Sequence, residues 1–102
     1  MAAVNKTIVL ITGANTGIGL ESVRALVKSA KTARPYHILL GSRNIQKGED
    51  AAALVHKENP DTKSSIEPVQ IDITDDGSVE KLSALIKDKY GRLDVLVNNA
   101  GQ

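Results

Sequence analysis

A glycine-rich stretch between an apolar run and an amphipathic segment constrains this chain more than any other feature. The stretch runs Thr12-Gly13-Ala14-Asn15-Thr16-Gly17-Ile18-Gly19 and follows the apolar, β-branched residues 7–11. Such a run is typical of a buried strand. Apolar residues then recur with helical spacing from Val23 to Ala30, which predicts a helix from about Gly17 to Lys31. Glycines at this kind of turn let a ligand approach the backbone, and the start of a helix attracts phosphate.

The spacing of the glycines separates several kinds of phosphate loop. A P-loop requires a Lys-Ser/Thr pair after its last glycine, and Gly17 is followed instead by Ile18 and Gly19. The common dinucleotide fingerprint is G-x-G-x-x-G, whereas Gly13, Gly17 and Gly19 form G-x-x-x-G-x-G. The stretch is therefore either a dinucleotide loop of a different spacing or a tight strand-to-helix turn that binds nothing.

Length and composition narrow the class of protein. The chain has 102 residues, 41% of them hydrophobic, which predicts one packed domain over residues 1–102. The formal net charge is +1 with basic and acidic residues interspersed, which argues against nucleic-acid and membrane-surface partners. Cysteine is absent, and the five-residue apolar run near the start is too short for a signal peptide or a membrane span. We expect a cytoplasmic protein.

The rest of the chain alternates apolar strands with amphipathic helices. The patterns predict a second strand at His37–Leu40, a helix at Ile45–Lys57 capped by Asn44, a third strand at Ile66–Ile71, a helix from Thr74–Asp76 to Tyr90, and a fourth strand at Leu93–Val97. Gly48 should weaken the second helix, and Pro68 marks the third strand as an edge strand or the site of a bulge.

This βαβαβαβ order predicts an α/β fold with a doubly wound, Rossmann-like parallel sheet between two layers of helices. The expected strand order is 3-2-1-4, which places a topological switch point between the first and fourth strands. The glycine stretch and the segment Asn98-Asn99-Ala100-Gly101 follow those two strands. A binding crevice is therefore expected between them.

The residues after the second strand bear on the choice of dinucleotide. An acid at this position would bond the 2′-hydroxyl of NAD, whereas a basic residue accommodates the 2′-phosphate of NADP. The sequence here is Gly41-Ser42-Arg43-Asn44, with no acid. Because a guanidinium can clamp phosphate with paired N–H donors, Arg43 favours NADP(H) over NAD(H). Ser42 and Asn44 could add hydrogen bonds to the same phosphate. The alternative is that Arg43 is a solvated charge near a helix start.

Taken together, these motifs resemble the short-chain dehydrogenase/reductase family. The glycine stretch is similar to the family's T-G-x-x-x-G-I-G motif, residues 98–101 match N-N-A-G, and Asp72 follows the third strand as the family's Asp does. The resemblance covers the whole chain. The segment Lys89-Tyr90-Gly91-Arg92-Leu93-Asp94 is most similar to carbonyl reductase-type members.

The resemblance implies a set of cofactor-binding residues. Asp72 and Ile73 would contact the adenine edge, although Asp72 could instead cap a turn. The N-N-A-G segment would steady the sheet and lay its Ala-Gly backbone against the cofactor, although it could be a simple strand-end turn. The complete expected set is Gly13, Asn15, Thr16, Gly17, Ile18, Gly19, Ser42, Arg43, Asn44, Asp72, Ile73, Asn98, Ala100 and Gly101.

The family's catalytic residues have no match in this sequence. The family transfers hydride between a nicotinamide and a carbonyl or alcohol, using a Tyr, a Lys four residues later and a Ser. Here Tyr36 is followed four residues later by Leu40, and Tyr90 by Asp94. No catalytic residue is assigned, and neither His37 nor His56 lies at metal-ligand spacing with other ligands.

The sequence thus resembles the first half of a longer enzyme, in which a small-molecule substrate would be bound only with further residues. Two alternatives remain open. One is a nucleotide-binding module without catalysis. The other is a fragment that associates with another chain through the edge of the fourth strand, whose continuous apolar pattern is typical of a strand buried on both faces.

Overall fold

The computed structural model describes residues 6–14, 17–29, 35–72 and 76–98. Strands and helices alternate along the chain as expected. In order, they are β1 (Thr7–Thr12), α1 (Gly17–Ser29), β2 (Tyr36–Ser42), α2 (Ile45–Glu58), β3 (Ser65–Gln70), α3 (Asp76–Tyr90) and β4 (Val95–Asn98). The predicted end of α1 at Lys31 lies outside the described residues.

The four strands form one parallel sheet in the order β3-β2-β1-β4, which confirms the expected order. Pro68 lies in β3, where it is in register with Leu40 of β2. Since β3 pairs with β2 alone among the described strands, the missing N–H of Pro68 interrupts no described ladder on its other side. The prediction of an edge strand is therefore confirmed.

Each face of the sheet is covered by its own apolar cluster. On one face, Val9 and Ile11 of β1 pack with Val23 of α1 and Val55 of α2. On the other face, Ile8 and Leu10 of β1 pack with Leu82 and Ile86 of α3. Alternate β1 residues thus point to opposite helical layers, as the pleat of a strand requires. The three-layer arrangement is confirmed, with α1 and α2 on one face and α3 on the other.

Gly48 allows α2 to lie close to the ends of β2 and β3. A Cβ atom at this position would come within 3.3 Å of the Ser42 Cβ atom and 3.6 Å of the Pro68 Cβ atom. Glycine lowers the helix propensity at this position, but it allows the helix to lie close to the sheet. This contact sets α2 directly beside the loop that follows β2.

β4 begins two residues later than predicted, because Asp94 makes the turn into it. The Ile8 N–H donates to the Asp94 carboxylate at 2.7 Å, and the Asp94 N–H donates to the Ile8 carbonyl at 3.0 Å. That hydrogen bond from Ile8 lowers the pKa of Asp94. Leu93 packs against the α3-side cluster instead of continuing the strand.

A polar cluster joins the end of α3 to the sheet at the amino end of the strands. The His37 Nε2 atom lies 3.1 Å from the Glu67 carboxylate and 2.9 Å from the Tyr90 hydroxyl, which also donates to Glu67. Lys89 Nζ donates to the other Glu67 oxygen at 3.2 Å. Tyr90 is therefore an amphipathic residue at the end of an element, with its ring against the core and its hydroxyl in this cluster.

In the part of the chain that the structure describes, no helix is long and apolar enough to cross a membrane.

Candidate functional site

The glycine turn lies at the carboxyl ends of the strands, beside both neighbours of β1. Thr12, the last residue of β1, is in register with Asn98, the last residue of β4. On the other side, the Ala14 N–H donates to the Gly41 carbonyl of β2 at 2.8 Å. The chain leaves β1 for α1 on one face, whereas α3 reaches β4 across the other face. The turn therefore occupies the switch point where ligands of open α/β sheets bind.

Two glycines of the turn have a left-handed backbone. Gly13 has φ 58° and Gly17 has φ 59°, a region that residues with a side chain rarely adopt. A Cβ atom built on Gly17 would meet nothing within 4 Å, so the space beside this residue is open. Gly17 is also the first residue of α1, where backbone N–H groups lack helical partners. An open backbone at a helix start fits the requirements of a phosphate group.

Gly19 is needed for a different reason. A Cβ atom at this position would lie 2.2 Å from the Gly13 carbonyl oxygen and 2.9 Å from the Ala14 Cα atom. Gly19 is buried, and α1 packs here directly on the main chain of the turn. This residue therefore shapes the turn from within the protein, while Gly17 leaves room outside it.

Ile18 lies between these glycines and is 79% exposed. It forms part of a shallow, mainly apolar depression of about 700 Å³ on the outer side of α1, which Leu20, Arg24 and Ala25 also line. A second cavity of about 420 Å³, lined by Lys28, Asn59 and neighbouring residues, lies at the amino end of the sheet, away from the switch point.

The loop after β2 carries an exposed arginine with no described partner. Arg24 bonds Glu58 and Glu21, and Arg92 bonds Asp94. The guanidinium of Arg43, by contrast, has no side-chain partner among residues 6–14, 17–29, 35–72 and 76–98, and its side chain is exposed. Arg43 also lies just before α2, where the helix dipole disfavours a cation. None of the described contacts therefore gives the Arg43 charge a role in stabilising the fold.

Ser42 and Asn44 shape the loop around this arginine. Ser42 is 2% exposed, and its hydroxyl donates to the Asn44 carbonyl at 2.9 Å and accepts from the Asn44 N–H at 3.2 Å. The Asn44 side chain caps α2 by accepting from the Lys47 N–H at 3.2 Å. The predicted cap is confirmed. Both side chains that were expected to face a phosphate already make hydrogen bonds within the loop.

Sequence reasoning did not single out Gln70, the last residue of β3. Its side-chain Nε2 atom donates to the main-chain carbonyl of Arg43 at 3.2 Å. The two residues are far apart in sequence, and a glutamine at a strand end carries no recognisable motif. Only the register of β3 against β2, which pairs Gln70 with Ser42, brings them together.

The other expected site residues are partly outside the described chain. Asp72 follows β3, is half-buried, and its N–H donates to the Ser78 hydroxyl of α3 at 3.2 Å. Asn98 ends β4 opposite Thr12, but its side chain is not among the described ones. The predictions for Asn15, Thr16, Ile73, Ala100 and Gly101 lie outside the described residues.

The described tyrosines and histidines stand apart from the switch point. Tyr36 begins β2, and Tyr90 ends α3 beside His37, so all three lie toward the amino end of the sheet. His56 is exposed near the end of α2. Within the described ranges, no group of three or more His, Cys, Asp or Glu side chains could hold a metal ion.

The strand order and the three layers place the chain in the class of Rossmann-like α/β proteins. The family model for short chain dehydrogenases matches residues 7–102, and the chain belongs to that family. The short-chain dehydrogenase/reductase tropE of Talaromyces stipitatus is 39% identical over 101 residues, which are 99% of this chain and 37% of that protein.

Solved structures agree with this assignment. The menthone neomenthol reductase of Mentha piperita matches with a TM-score of 0.79 and 36% identity, over 95% of this chain and 32% of that one. This neighbour agrees with the expected carbonyl reductase type. An alcohol dehydrogenase of Thermococcus sibiricus, complexed with 5-hydroxy-NADP, matches with a TM-score of 0.71 and 27% identity, over 89% of this chain and 35% of that one. The chain thus spans about a third of the length of these relatives.

Proposed function

We propose that this chain is the NADP(H)-binding portion of a short-chain dehydrogenase/reductase of the carbonyl reductase type. The observation that carries the proposal is the exposed Arg43, which has no side-chain partner among the described residues and lies at the same edge of the sheet as the open Gly17 backbone. The open backbone at Gly17 suits a diphosphate, and the Arg43 guanidinium suits an additional phosphate on the ribose. A relative with a bound NADP derivative supports the same cofactor class.

Each part of the cofactor has a candidate partner in the chain. The pyrophosphate would be held by the backbone N–H groups of Gly13, Asn15 and Thr16 and by the start of α1 from Gly17 to Gly19, with its helix dipole. Arg43, in the loop shaped by Ser42 and Asn44, would pair with the 2′-phosphate. Asp72 and Ile73 would border the adenine, and the segment with Asn98, Ala100 and Gly101 would steady the sheet and lay its Ala-Gly backbone against the cofactor. NADP(H) itself would supply or accept the hydride.

NAD(H) is the less favoured cofactor. An acidic residue at the end of β2 would accept hydrogen bonds from the NAD ribose, and this loop offers Ser42, Arg43 and Asn44 instead. The preference for NADP(H) over NAD(H) therefore depends on the Arg43 cation, because this loop has no carboxylate.

Fluorescence titration with NADPH tests the proposal. We expect the chain to bind NADPH more tightly than NADH, and to show no carbonyl-dependent oxidation of NADPH because its sequence offers no catalytic Tyr-x-x-x-Lys. Absence of binding at millimolar NADPH would overturn the proposed function. Oxidation of NADPH by this chain with a carbonyl substrate would show that catalysis uses other residues.

We also propose a second role, association through the edge of β4. Val95 and Leu96 are 42% and 56% exposed, and among the described strands β4 pairs only with β1. The opposite edge of the sheet carries Pro68 and the charged Glu67, which discourage pairing with another strand, whereas Val95–Val97 is entirely apolar. The exposed apolar strand therefore favours a partner there.

A further inference from the structure

The loop that carries Arg43 is attached to the end of β3 as well as to β2. We propose that Gln70 is a positioning residue for Arg43, and that by holding the Arg43 main chain it contributes to the preference for NADP(H) over NAD(H). This inference rests on the proposed function, since it assigns a role at the same cofactor site to a residue that would not touch the cofactor's reacting atoms.

Two hydrogen bonds link the end of β3 to this loop. The Ile71 N–H donates to the Ser42 carbonyl at 2.9 Å, and the Gln70 amide donates to the Arg43 carbonyl at 3.2 Å. On the other side of Arg43, the buried Ser42 hydroxyl bonds both the N–H and the carbonyl of Asn44. The main chain is thus held before, at and after Arg43, while the guanidinium has no described partner.

The Arg43 carbonyl requires a donor from outside the helix. It precedes the cap residue Asn44, whose own carbonyl accepts the first helical hydrogen bond, from the Gly48 N–H at 3.1 Å. A carbonyl just before a helix cap otherwise bonds to water or to a side chain. The glutamine side chain reaches it from the neighbouring strand, because Gln70 is in register with Ser42.

Holding the carbonyl matters for a long side chain that must meet a phosphate. An arginine side chain loses rotamer freedom when a ligand immobilises it, and this loss costs conformational entropy. If the main chain were also mobile, ordering it on binding would cost further entropy. Gln70 holds the main chain in the free protein and so reduces this second entropy cost of binding. Because NAD(H) lacks the 2′-phosphate, the benefit should appear with NADP(H) alone.

The test measures dissociation constants for NADPH and NADH in the 102-residue chain and its variants. Gln70→Ala and the length-matched Gln70→Met both remove the donor. Gln46→Ala is the matched control, because the Gln46 side chain also donates a hydrogen bond, but to Asp50 at 3.1 Å on α2 and not to the Arg43 carbonyl. Arg43→Ala and the double variant Arg43→Ala/Gln70→Ala complete a mutant cycle.

We expect each Gln70 variant to weaken NADPH binding about threefold to tenfold, the range of one hydrogen bond, and to leave NADH binding unchanged. In the Arg43→Ala background, loss of Gln70 should have no further effect. Equal losses for both cofactors, or effects of Gln70 and Arg43 that simply add, would overturn the inference and leave the proposed function in place.

A second measurement does not depend on the cofactor. The ¹⁵N order parameter of the Asn44 amide, which shares a peptide plane with the Arg43 carbonyl, should fall in Gln70→Ala and stay unchanged in Gln46→Ala. An unchanged order parameter in Gln70→Ala would overturn the positioning role. A wild-type chain that binds no NADPH, with the order parameter still responding to Gln70, would overturn the proposed function and the cofactor preference that we derive from it.

Discussion

At the scale of single residues, Gly17 and Gly19 illustrate two different demands for glycine in one turn. Gly17 has a left-handed backbone with open space beside it, whereas Gly19 lies against the main chain of Gly13 and Ala14. The first demand concerns backbone conformation and access for a ligand. The second concerns packing within the protein. The sequence pattern alone does not separate them, because both positions carry the same residue.

Alanine substitutions should separate the two demands. Gly17→Ala should lower the free energy of unfolding by about 1 kcal/mol, the cost of a left-handed alanine. Gly19→Ala should cost more, about 2–4 kcal/mol, because its Cβ atom would overlap a carbonyl oxygen that belongs to the turn itself. Urea unfolding of the two variants measures the difference. An equal or smaller loss in Gly19→Ala would contradict the described packing of α1 on the turn.

Sequence reasoning singled out Arg43 with Ser42 and Asn44, but not the hydrogen bonds that arrange this loop. The absence of an acid after β2 was visible in the sequence, and the charge type of a residue is independent of its contacts. The engagement of the Ser42 hydroxyl and the hydrogen bond from Gln70 depend on strand register at the level of atoms. Patterns of hydrophobicity predict which face a residue occupies but not which neighbour its side chain bonds.

At the scale of elements, the end of α3 is joined to the edge strand β3 through Glu67. Burial raises the pKa of this carboxyl, but hydrogen bonds from Tyr90, His37 and Lys89 outweigh burial and lower the pKa below its ordinary value. The carboxylate form is therefore favoured in the folded protein. Burial and the neighbouring Glu67 carboxylate, in turn, raise the pKa of Tyr90.

The lowered pKa of Glu67 predicts an acid-sensitive contribution to stability. A carboxyl whose pKa is lower in the folded state stabilises the fold fully above its unfolded value, 4.5, and loses that contribution as the pH falls through the folded value. The wild type should therefore lose stability more steeply than Glu67→Gln below about pH 4.5. Parallel unfolding curves at pH 3, 5 and 7 provide the measurement. Identical pH slopes in both proteins would contradict the role of Glu67.

The order and type of the elements were predictable because each segment keeps one pattern of apolar residues over its length. β4 begins at Val95 instead of Leu93 because Asp94 bonds Ile8 of β1. Gly48 was expected only to weaken α2, yet it allows α2 to approach Ser42 and Pro68. Tertiary contacts of this kind leave no periodic trace in the sequence.

At the scale of the whole molecule, the two edges of the sheet differ. β3 carries Pro68 and packs its edge residues with α2 and α3, whereas β4 presents Val95 and Leu96 to solvent. Leu96 is in register with Leu10, which belongs to the α3-side cluster, so it extends that apolar face beyond β1. The chain spans about a third of the length of these relatives. The proposed association concerns the β4 edge of the described sheet.

Substitution of Leu96 by Lys tests that association. A charge on an exposed edge strand discourages pairing with another strand, so Leu96→Lys should lower any tendency to dimerise. Leu85→Lys is the control, because Leu85 is 62% exposed and belongs to helix α3 instead of an edge strand. Sedimentation velocity over a range of concentrations measures the result. A strictly monomeric wild type, or equal effects of both substitutions, would contradict association through β4.

The central claim, that Arg43 makes this chain select NADP(H), is tested most directly by the effect of Arg43→Ala on the two cofactors. Lys63→Ala, which removes an exposed cation at the opposite end of the sheet, is the matched control. We predict that Arg43→Ala weakens NADPH binding about tenfold to a hundredfold, since hydrogen bonds to charged groups are lost, and leaves NADH binding unchanged. Lys63→Ala should change neither. An Arg43→Ala variant that still prefers NADPH to the same extent as the wild type would contradict the claim.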